Sequence, residues 1–243
     1  MKITIIDYGL GNLISVYNAL EYLGTKGKIS ESPRDIDSAD KIILPGVGSF
    51  RDAMLGLRKK DLYDSLKAAL VSGKAYMGIC LGLQILFEKS EEGGAAGLGV
   101  FKGDVKRFRE EDGIKVPHIG WNNVTRTQEH RCTGAQGHGD AGTRGDREAG
   151  TREHRCTGAQ AHRDAGTRDA SNGLLAGIKD GSYFYFDHSY YADPEDRQII
   201  TGTTGYGKDF ASMIHKENIY GVQFHPERSQ DLGLQLLKNF VNM

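Results

Sequence analysis

The sequence has little that would mark a secreted, membrane-embedded or nucleic-acid-binding protein. Only three of its 243 residues are cysteine, which is too few for a disulfide framework and favours a reducing, cytoplasmic location. The formal net charge is −1, so no basic field attracts nucleic acid or an anionic membrane surface. No apolar run approaches the length of a membrane span, and the N-terminus lacks the pattern of a signal peptide. We therefore expect neither nucleic acid nor a membrane among its partners.

One stretch of the chain lacks large apolar residues altogether. Residues 126–170 contain no Val, Ile, Leu, Met, Phe, Trp or Tyr. Within them, the sequence from Glu129 to Gln136 recurs from Glu153 to Gln160. Two copies this poor in apolar side chains cannot bury enough surface to offset their ordering entropy. We predict one domain spanning 1–243, interrupted at about 126–170 by a disordered, duplicated insertion.

Two motifs point only weakly to a metal or a cofactor. His130, Cys132, His154 and Cys156 could supply four zinc ligands. Duplication of one arbitrary segment produces the same set, however, and structural zinc sites use longer spacings between ligands. The sequence Gly9-Leu10-Gly11, after the first apolar run, lacks the third glycine of a dinucleotide-binding turn. We expect no metal and no cofactor.

Outside the insertion, short apolar runs alternate with helical patterns. The runs at 2–7, 40–44 and 75–79 are typical of buried parallel strands, and the patterns at 13–23 and 51–71 are typical of helices. Further strands are expected at 183–186, 199–203, 211–215 and 220–224, several of them antiparallel, with a closing helix at 232–241. This order predicts an α/β fold with a mostly parallel central sheet and an additional antiparallel portion.

Cys80 stands where a predicted strand meets a predicted helix. The apolar run at 75–79 stops immediately before it, and a helical pattern at 83–89 follows it. Gly78 and Gly82 flank the cysteine with the spacing G-x-nucleophile-x-G, which allows a tight turn between the two elements. Such a turn exposes the thiol above the sheet at a helix N-terminus, where thiolate is stabilised. The alternative is that Cys80 is a small buried apolar residue.

Two further groups would complete a nucleophilic site. His225 and Glu227, in a His-Pro-Glu sequence, supply a base and a carboxylate that orients it. The proline favours an extended segment in which both side chains face the same way. The backbone N–H groups of Leu81 and Gly82 are candidates for binding an oxyanion. So is the segment Gly46-Val47-Gly48, whose glycines permit a backbone N–H to turn toward the thiol; the alternative is an ordinary strand-to-helix turn.

These residues resemble the motifs of the class I, triad-type glutamine amidotransferases, in which G-x-C-x-G-x-Q is followed far downstream by H-P-E. Within that class the chain is similar to the glutaminase subunit of imidazole glycerol phosphate synthase, the HisH family of histidine biosynthesis. The closer similarity lies in five stretches: Ile6 to Leu13, Pro45 to Gly48, Pro117 to Asn122, Tyr185 to Tyr191 and Gly221 to Ser229. Two positions depart from the family pattern, because Arg228 replaces a frequent lysine and Asp187 replaces a usual apolar residue.

The resemblance implies a three-layer α/β fold and a reaction on glutamine. Cys80 would attack the side-chain amide, ammonia would leave, and water would hydrolyse the γ-glutamyl thioester. His225 would act as base toward the thiol and as acid toward ammonia, with Glu227 orienting its ring. His188 is a rival base, but no carboxylate stands at an equivalent spacing from it. No metal or cofactor is implied.

The resemblance further implies contacts with the substrate and with a second subunit. The residues implied to contact glutamine are Gly82, Gln84, His188, Ser189 and Tyr190. Ammonia would pass to a separate cyclase subunit of TIM-barrel fold, bound as a heterodimer. The residues implied for that interface are Asn12, Pro117, His118, Gly120, Trp121, Asn122 and Arg228. Trp121 is open to two interpretations, as an interface anchor or as a core residue.

The sequence alone leaves three functions from different classes. The first is a glutaminase that feeds ammonia to a cyclase. The second is another thiol hydrolase on the same elbow, such as the glutaminase of pyridoxal phosphate synthesis or a glutamyl peptidase. The third is a binding subunit that has lost catalysis through the insertion or through the changes at Arg228 and Asp187.

Overall fold

The computed structural model of the chain describes residues 1–110, 113–127 and 173–243. The predicted insertion, with its histidines and cysteines, therefore lies outside the described residues apart from Arg126 and Thr127. Arg126 is the last residue of a strand and not the first residue of an insertion. None of the helices in the described ranges is long and apolar enough to cross a membrane.

Helices and strands alternate along the first part of the chain, and strands dominate the second. The helices are α1 (Leu13–Tyr22), α2 (Pro33–Ser38), α3 (Phe50–Lys59), α4 (Leu62–Val71), α5 (Leu81–Gln84) and α6 (Gln230–Asn242). The strands are β1 (Ile3–Ile6), β2 (Gly27–Ser30), β3 (Lys41–Gly46), β4 (Ala75–Cys80), β5 (Phe87–Ser90), β6 (Phe101–Arg107), β7 (His118–Arg126), β8 (Ser182–His188), β9 (Tyr190–Pro194), β10 (Ile200–Tyr206), β11 (Lys208–Lys216) and β12 (Ile219–Val222).

The described strands form one sheet with a parallel and an antiparallel part. In the order β2-β1-β3-β4-β12, all neighbouring strands run parallel. From β12 the sheet continues antiparallel through β11, β10, β7 and β8. A branch adds β9 to β11, followed by β6 and β5. The predicted α/β fold, with a parallel central sheet and an additional antiparallel portion, is confirmed.

Helices cover both faces of the parallel part, which gives three layers. One core cluster joins α2, α3 and α4 to one face and includes Ile36, Leu57 and Leu66. The other joins α1 and α6 to the opposite face and includes Leu20 and Leu237. Parallel strands align their C-terminal ends, so β1, β3 and β4 end at one edge of the sheet. Folds of this kind place their functional loops at that edge.

The predicted helix at 51–71 is wrong in one respect, because it is two helices. α3 ends at Lys59 and α4 begins at Leu62. Asp61 between them has φ +58°, a left-handed conformation that aspartate tolerates but that interrupts the helical hydrogen-bond series. The break lets the buried faces of both helices reach the same core cluster, with Leu57 from one and Leu62 from the other.

The predicted helix at 83–89 is also wrong. The helix after Cys80 covers only Leu81–Gln84, and Phe87–Ser90 is a strand that pairs with β6. Within that strand both end residues are buried and the two between them are exposed. Pairing with a strand further along the chain outweighs the local helical preference, and no local pattern reveals such a partner.

Both sides of the stretch 128–172 are anchored at one end of the β7–β8 pair. β7 and β8 are antiparallel, and Val124 pairs with Ser182 near the end of the ladder. The guanidinium of Arg126, at the end of β7, donates hydrogen bonds to the carbonyl oxygens of Leu175 and Ile178. The chain therefore leaves and re-enters the described fold at neighbouring points.

We expect deletion of residues 128–172, closed by a short Gly-Ser linker, to leave the fold intact. A short connection can bridge neighbouring ends, and shortening the chain between two fixed ends raises stability by roughly 1 kcal/mol in this length range. The melting temperature should therefore equal or slightly exceed that of the full chain. A full-length variant with residues 128–172 in shuffled order is the matched control. Loss of cooperative unfolding in the deletion variant would show that the segment is structural.

Candidate active site

Cys80 lies at a sharp turn from strand to helix. It is the last residue of β4, and α5 begins at the next residue. Its φ is +53°, in a region that residues with a side chain rarely adopt and that is concentrated at functional sites. The predicted elbow is confirmed. α5 is a single turn, however, so the positive potential at its N-terminus is weaker than that of a long helix.

Gly78 and Gly82 make this turn possible because no side chain fits at either position. A Cβ atom on Gly82 would lie 1.9 Å from the carbonyl oxygen of Leu44 in β3. A Cβ atom on Gly78 would lie 2.4 Å from the carbonyl oxygen of Gly82. The hydroxyl of Tyr76 donates a hydrogen bond to that same Gly82 oxygen over 2.8 Å. The G-x-C-x-G spacing therefore reflects close packing of backbone on backbone.

The thiol itself is buried, which corrects the expectation of an exposed nucleophile. Cys80 is only 6% exposed. Its Sγ accepts a hydrogen bond from Nε2 of Gln223 at 3.4 Å, and it lies 3.9 Å from the carbonyl oxygen of Asp187. Asp187 belongs to β8, so the antiparallel portion of the sheet covers the thiol.

His225 and Glu227 form a buried pair beside the thiol. Nδ1 of His225 lies 2.9 Å from Oε1 of Glu227, and the two side chains are 2% and 0% exposed. Burial disfavours the charged ring, but the Cys80 thiolate and the Glu227 carboxylate outweigh it and raise the pKa of His225 to about 10. The other ring nitrogen, Nε2, makes no regular hydrogen bond to any described residue. The arrangement is a thiol next to an imidazole that a carboxylate orients.

The glycine-containing segment predicted to bind an oxyanion lies next to Cys80. Gly46 is the last residue of β3 and pairs with Cys80 across the parallel ladder. A Cβ atom on Gly46 would lie 2.7 Å from Cβ of Leu81, so the start of α5 packs against this glycine. Val47 is 42% exposed and Gly48 has φ +100°. Gly46 and Leu81 are therefore both placed where backbone N–H groups can approach the thiol.

Gln84 does not face open space. It is 4% exposed, and its Nε2 donates to the carbonyl oxygen of Tyr190 at 2.8 Å and to Oε1 of Gln223 at 3.1 Å. Because Gln223 in turn donates to Cys80, a hydrogen-bonded chain runs from Gln84 to the thiol. The carbonyl oxygen of Ser189, next to Tyr190, accepts a hydrogen bond from the backbone N–H of Phe108.

Gln223 is a site residue that the sequence analysis missed. It is fully buried, and its side chain donates a hydrogen bond to the thiol. A signal was available, because Gln223 precedes His225 by two residues. In an extended segment, residues two apart face the same side, so a polar residue at 223 should face the thiol as His225 does.

His118 and His188 pair inside the core. Nδ1 of His188 lies 2.8 Å from the carbonyl oxygen of Tyr190, which can only accept, so this nitrogen carries the hydrogen. Nε2 of His188 must then accept from Nδ1 of His118 at 3.1 Å. Nε2 of His118 in turn accepts from the Asn122 amide at 3.3 Å. Every bond in this chain is satisfied when both rings are neutral.

Electrostatics favour the same neutral state. Burial lowers the pKa of His118 to about 4, and it lowers the pKa of His188 to about 3. The prediction of His118 as a partner-facing residue is therefore wrong, since it is 4% exposed. His188 uses both ring nitrogens internally, so its ring is neither a rival base nor a free contact for substrate. The Asn122 amide is also engaged, with His118 and with the carbonyl oxygen of Gly205.

The other residues predicted for a partner interface are spread over the chain. Trp121 is 46% exposed, which excludes its interpretation as a core residue. Pro117 is exposed just before β7, and Gly120 lies within β7 with φ +136°. Asn12 precedes α1, and its side-chain oxygen accepts from the Ser15 hydroxyl at 2.7 Å.

Arg228 and Asp187, the two departures from the family pattern, contact each other. Nη1 of Arg228 lies 3.6 Å from Oδ2 of Asp187, with both side chains substantially exposed. The guanidinium also lies 5.1 Å from the ring centre of Tyr185. Exposed pairs of this kind contribute little stability, so we expect the ion pair between the two side chains to add little to the stability of the fold.

A buried thiol, an imidazole held by a carboxylate, and a glycine-containing loop beside them define a cysteine-dependent acyl-transfer enzyme on an α/β scaffold. The family model for class-I glutamine amidotransferases matches residues 4–243, and the chain belongs to that family. No group of three His, Cys, Asp or Glu side chains within the described ranges is arranged to hold a metal ion.

Comparison with individual proteins shows which members of the family the chain is similar to. The imidazole glycerol phosphate synthase subunit HisH of Gloeothece citriformis is 42% identical, over 99% of this chain and 95% of that protein. The subunit HisH of Moorella thermoacetica is 41% identical, over 98% and 93%. The resemblance inferred from the motifs is confirmed. Among solved structures, PurLQS from Thermotoga maritima superimposes with a TM-score of 0.63 at 17% identity, over 99% of this chain and 97% of that chain, which supports the fold alone.

Proposed function

We propose that this chain is the glutaminase subunit of an imidazole glycerol phosphate synthase, acting in the cytoplasm. The observation that carries the proposal is the buried set of Cys80, His225 and Glu227, in a chain that is 42% and 41% identical to two HisH subunits over 95% and 93% of their length. The described residues form the single amidotransferase domain of this proposal. Cys80 stays reduced in such a compartment.

Hydrolysis begins with attack of the Cys80 thiolate on the side-chain carbonyl carbon of glutamine. The C–S bond forms and the carbonyl oxygen takes the negative charge. His225 then gives its proton to the amide nitrogen, the C–N bond breaks, and ammonia leaves a γ-glutamyl thioester. With its ring now neutral, His225 removes a proton from water, the hydroxide attacks the thioester, and glutamate leaves as the thiolate is restored. Glu227 keeps the ring oriented through both steps.

The oxyanion formed in each step needs backbone donors. We assign them to the N–H of Leu81, at the start of α5, and to the Gly46–Val47 peptide, at the end of β3. Removing one oxyanion donor typically costs about a hundredfold to a thousandfold in kcat. The resemblance assigns Gly82, Ser189 and Tyr190 to the bound glutamine, whereas Gln84 supports the site through its hydrogen bond to Gln223.

The cyclase subunit is proposed to dock on the outer face of the β7–β8 pair. Ile119 and Trp121 of β7 and Tyr183 of β8 are 59%, 46% and 57% exposed. Trp121 meets Tyr185 across the ladder, with ring centres 6.1 Å apart. Exposed aromatic residues on adjacent strands are typical of interface cores. The opposite side of the same two strands carries His118 and His188, so this face lies one side-chain layer from the active site.

We expect ammonia release from glutamine to rise when the cyclase subunit and its nucleotide ligand are added. The Trp121→Ala variant should need at least about tenfold more cyclase subunit to reach the same rate of ammonia release. Truncating a central aromatic weakens docking but leaves the thiol untouched, so alkylation of Cys80 by a chloroketone analogue of glutamine should proceed at the wild-type rate. The Tyr22→Ala variant, at an exposed aromatic of α1, is the matched control.

Other outcomes would favour the other functions. Glutamine hydrolysis that ignores the cyclase would indicate another triad amidotransferase, such as the glutaminase of pyridoxal phosphate synthesis. Failure of the chloroketone to alkylate Cys80 would indicate a binding subunit without catalysis.

A further inference from the structure

Tyr8 carries a buried hydroxyl that has no hydrogen-bond partner among the described residues. It follows β1 by two residues and is 2% exposed. Its hydroxyl oxygen makes no hydrogen bond to any residue that the structure describes. A buried polar group costs free energy when it is unpaired, so native proteins retain few of them. Tyr76, a second buried tyrosine near the elbow, has its hydroxyl satisfied by the Gly82 carbonyl oxygen.

The Tyr8 hydroxyl lies against the oxyanion segment, which is the segment Gly46-Val47-Gly48 assigned above to the oxyanion. A Cβ atom on Gly46 would lie 2.3 Å from this hydroxyl oxygen, and 2.7 Å from Cβ of Leu81 on the other side. The phenol therefore occupies the space that a side chain at Gly46 would need. Gly46 itself pairs with Cys80 across the parallel ladder, so the hydroxyl contacts the residue that lies beside the nucleophile.

The turn that follows Tyr8 supports the same segment at two more points. A Cβ atom on Gly11, which has φ +123°, would lie 3.0 Å from the carbonyl oxygen of Pro45. A Cβ atom on Gly48 would lie 3.7 Å from the Leu10 side chain. The segment from Pro45 to Gly48 thus lies against the β1–α1 turn, and Tyr8 supplies the hydroxyl at the point nearest the thiol.

The chemistry of the site keeps this hydroxyl a hydrogen-bond donor. Burial raises the pKa of Tyr8 far above its ordinary value, and the charges of Cys80 and Asp7 raise it further. The phenol therefore holds its proton throughout the reaction. In the resting site the hydroxyl has no acceptor among the described residues, and the segment that it touches at Gly46 carries the backbone carbonyl groups of Pro45 and Gly46.

We propose that Tyr8 is a positioning residue for the oxyanion segment. When the Gly46–Val47 peptide rotates so that the Val47 N–H faces the developing oxyanion, the Gly46 carbonyl turns toward Tyr8 and accepts its hydroxyl hydrogen. The hydroxyl then gains a bond that the resting site does not have. A bond gained only in the active arrangement lowers the barrier without tightening substrate binding. This inference rests on the proposed glutaminase reaction.

The Tyr8→Phe variant tests the proposal because it removes the hydroxyl and keeps the ring. In the complex with the cyclase subunit and its nucleotide, we expect kcat for ammonia release to fall about tenfold, which is the loss of one hydrogen bond in the transition state. KM for glutamine should stay within about twofold, and the melting temperature should stay constant or rise. The Tyr220→Phe variant, at a buried tyrosine that packs against α6, should keep wild-type kcat.

Two results would overturn the proposal. Unchanged kcat with a raised melting temperature would mean that the Tyr8 hydroxyl only destabilises the fold and has no role in catalysis. A shifted pH profile for alkylation of Cys80 in the Tyr8→Phe variant would mean that the hydroxyl acts on the thiol and not on the segment. If the wild-type complex itself released no ammonia, the proposed function would fail first, and this inference with it.

Discussion

The Cys80→Ala variant is expected to lose glutamine hydrolysis, with kcat falling on the order of 10⁴-fold or more. No other described side chain at the elbow can form the thioester, and His225 and Glu227 then have no nucleophile to serve. Ammonia release in the presence of the cyclase subunit measures the loss. Alanine fills most of the small buried volume of the thiol, so folding and complex formation should persist.

The same variant should change the titration of His225. The pKa of His225 is raised to about 10, and Cys80 is a leading cause. Without the electrostatic and hydrogen-bond contribution of Cys80, burial opposes the Glu227 carboxylate alone, so the pKa of His225 should fall, as NMR of the imidazole can measure. A raised folded-state pKa contributes stability that is complete below about 6.5 and is lost as pH rises through about 10. Urea unfolding should therefore show a smaller loss of stability between pH 7 and 10 in Cys80→Ala.

The two remaining cysteines provide the control for this experiment. Cys132 and Cys156 lie in the duplicated stretch, and replacing both with alanine should leave ammonia release unchanged. Activity of Cys80→Ala within tenfold of wild type would assign the nucleophile to another group. An unchanged pKa of His225 in the same variant would mean that the thiol does not reach the imidazole.

The Gly82→Ala variant is expected to lose both stability and activity. Its Cβ atom would lie 1.9 Å from the Leu44 carbonyl oxygen and 3.0 Å from the adjoining carbon, both of them backbone atoms of β3. Neither can rotate away, so the elbow or the strand must move. We expect a loss of at least about 3 kcal/mol in the free energy of unfolding, measured by urea denaturation. The displaced Cys80 should react with a chloroketone analogue of glutamine far more slowly.

Gly205, a glycine of strand β10, provides the control. A Cβ atom on Gly205, in β10, would lie 3.4 Å from Oδ1 of Asp209, which is an ordinary contact with a mobile side chain. Gly205→Ala should therefore stay within about 1 kcal/mol of wild type and keep full alkylation. Equal effects of the two substitutions would contradict the assignment of Gly82 to a backbone contact.

The parts of the fold that the sequence predicted are those with strong local signals. The strands β1, β3 and β4 were predicted because each is a short apolar run in the sequence. A buried parallel strand can be identified from such a run without knowing which strand it pairs with. The break at Asp61 and the strand Phe87–Ser90 were not predictable in the same manner. Each depends on which distant surface the segment packs against, and a window of neighbouring residues does not contain that surface.

The residues of the site also differ in how far the sequence predicted them. Cys80, His225 and Glu227 were identified because two short motifs encode them, with spacing that suits an elbow and an extended segment. His118 was assigned to a surface, whereas it pairs with His188 in the core. Its surroundings come from β8, more than sixty positions later in the chain, and the sheet register decides that the two rings meet.

The chemistry of Cys80 follows from local residues: a thiol between two glycines, with a His-x-Glu downstream, specifies nucleophilic attack on an acyl group. The surroundings of the thiol follow from the packing of distant strands. That packing placed the Asp187 carbonyl oxygen against the thiol, brought Gln223 to its sulfur, and set the hydroxyl of Tyr8 against Gly46. The physical reason is range: bond geometry and local sterics act within a few residues, whereas burial and hydrogen-bond pairing depend on strands joined across the whole chain.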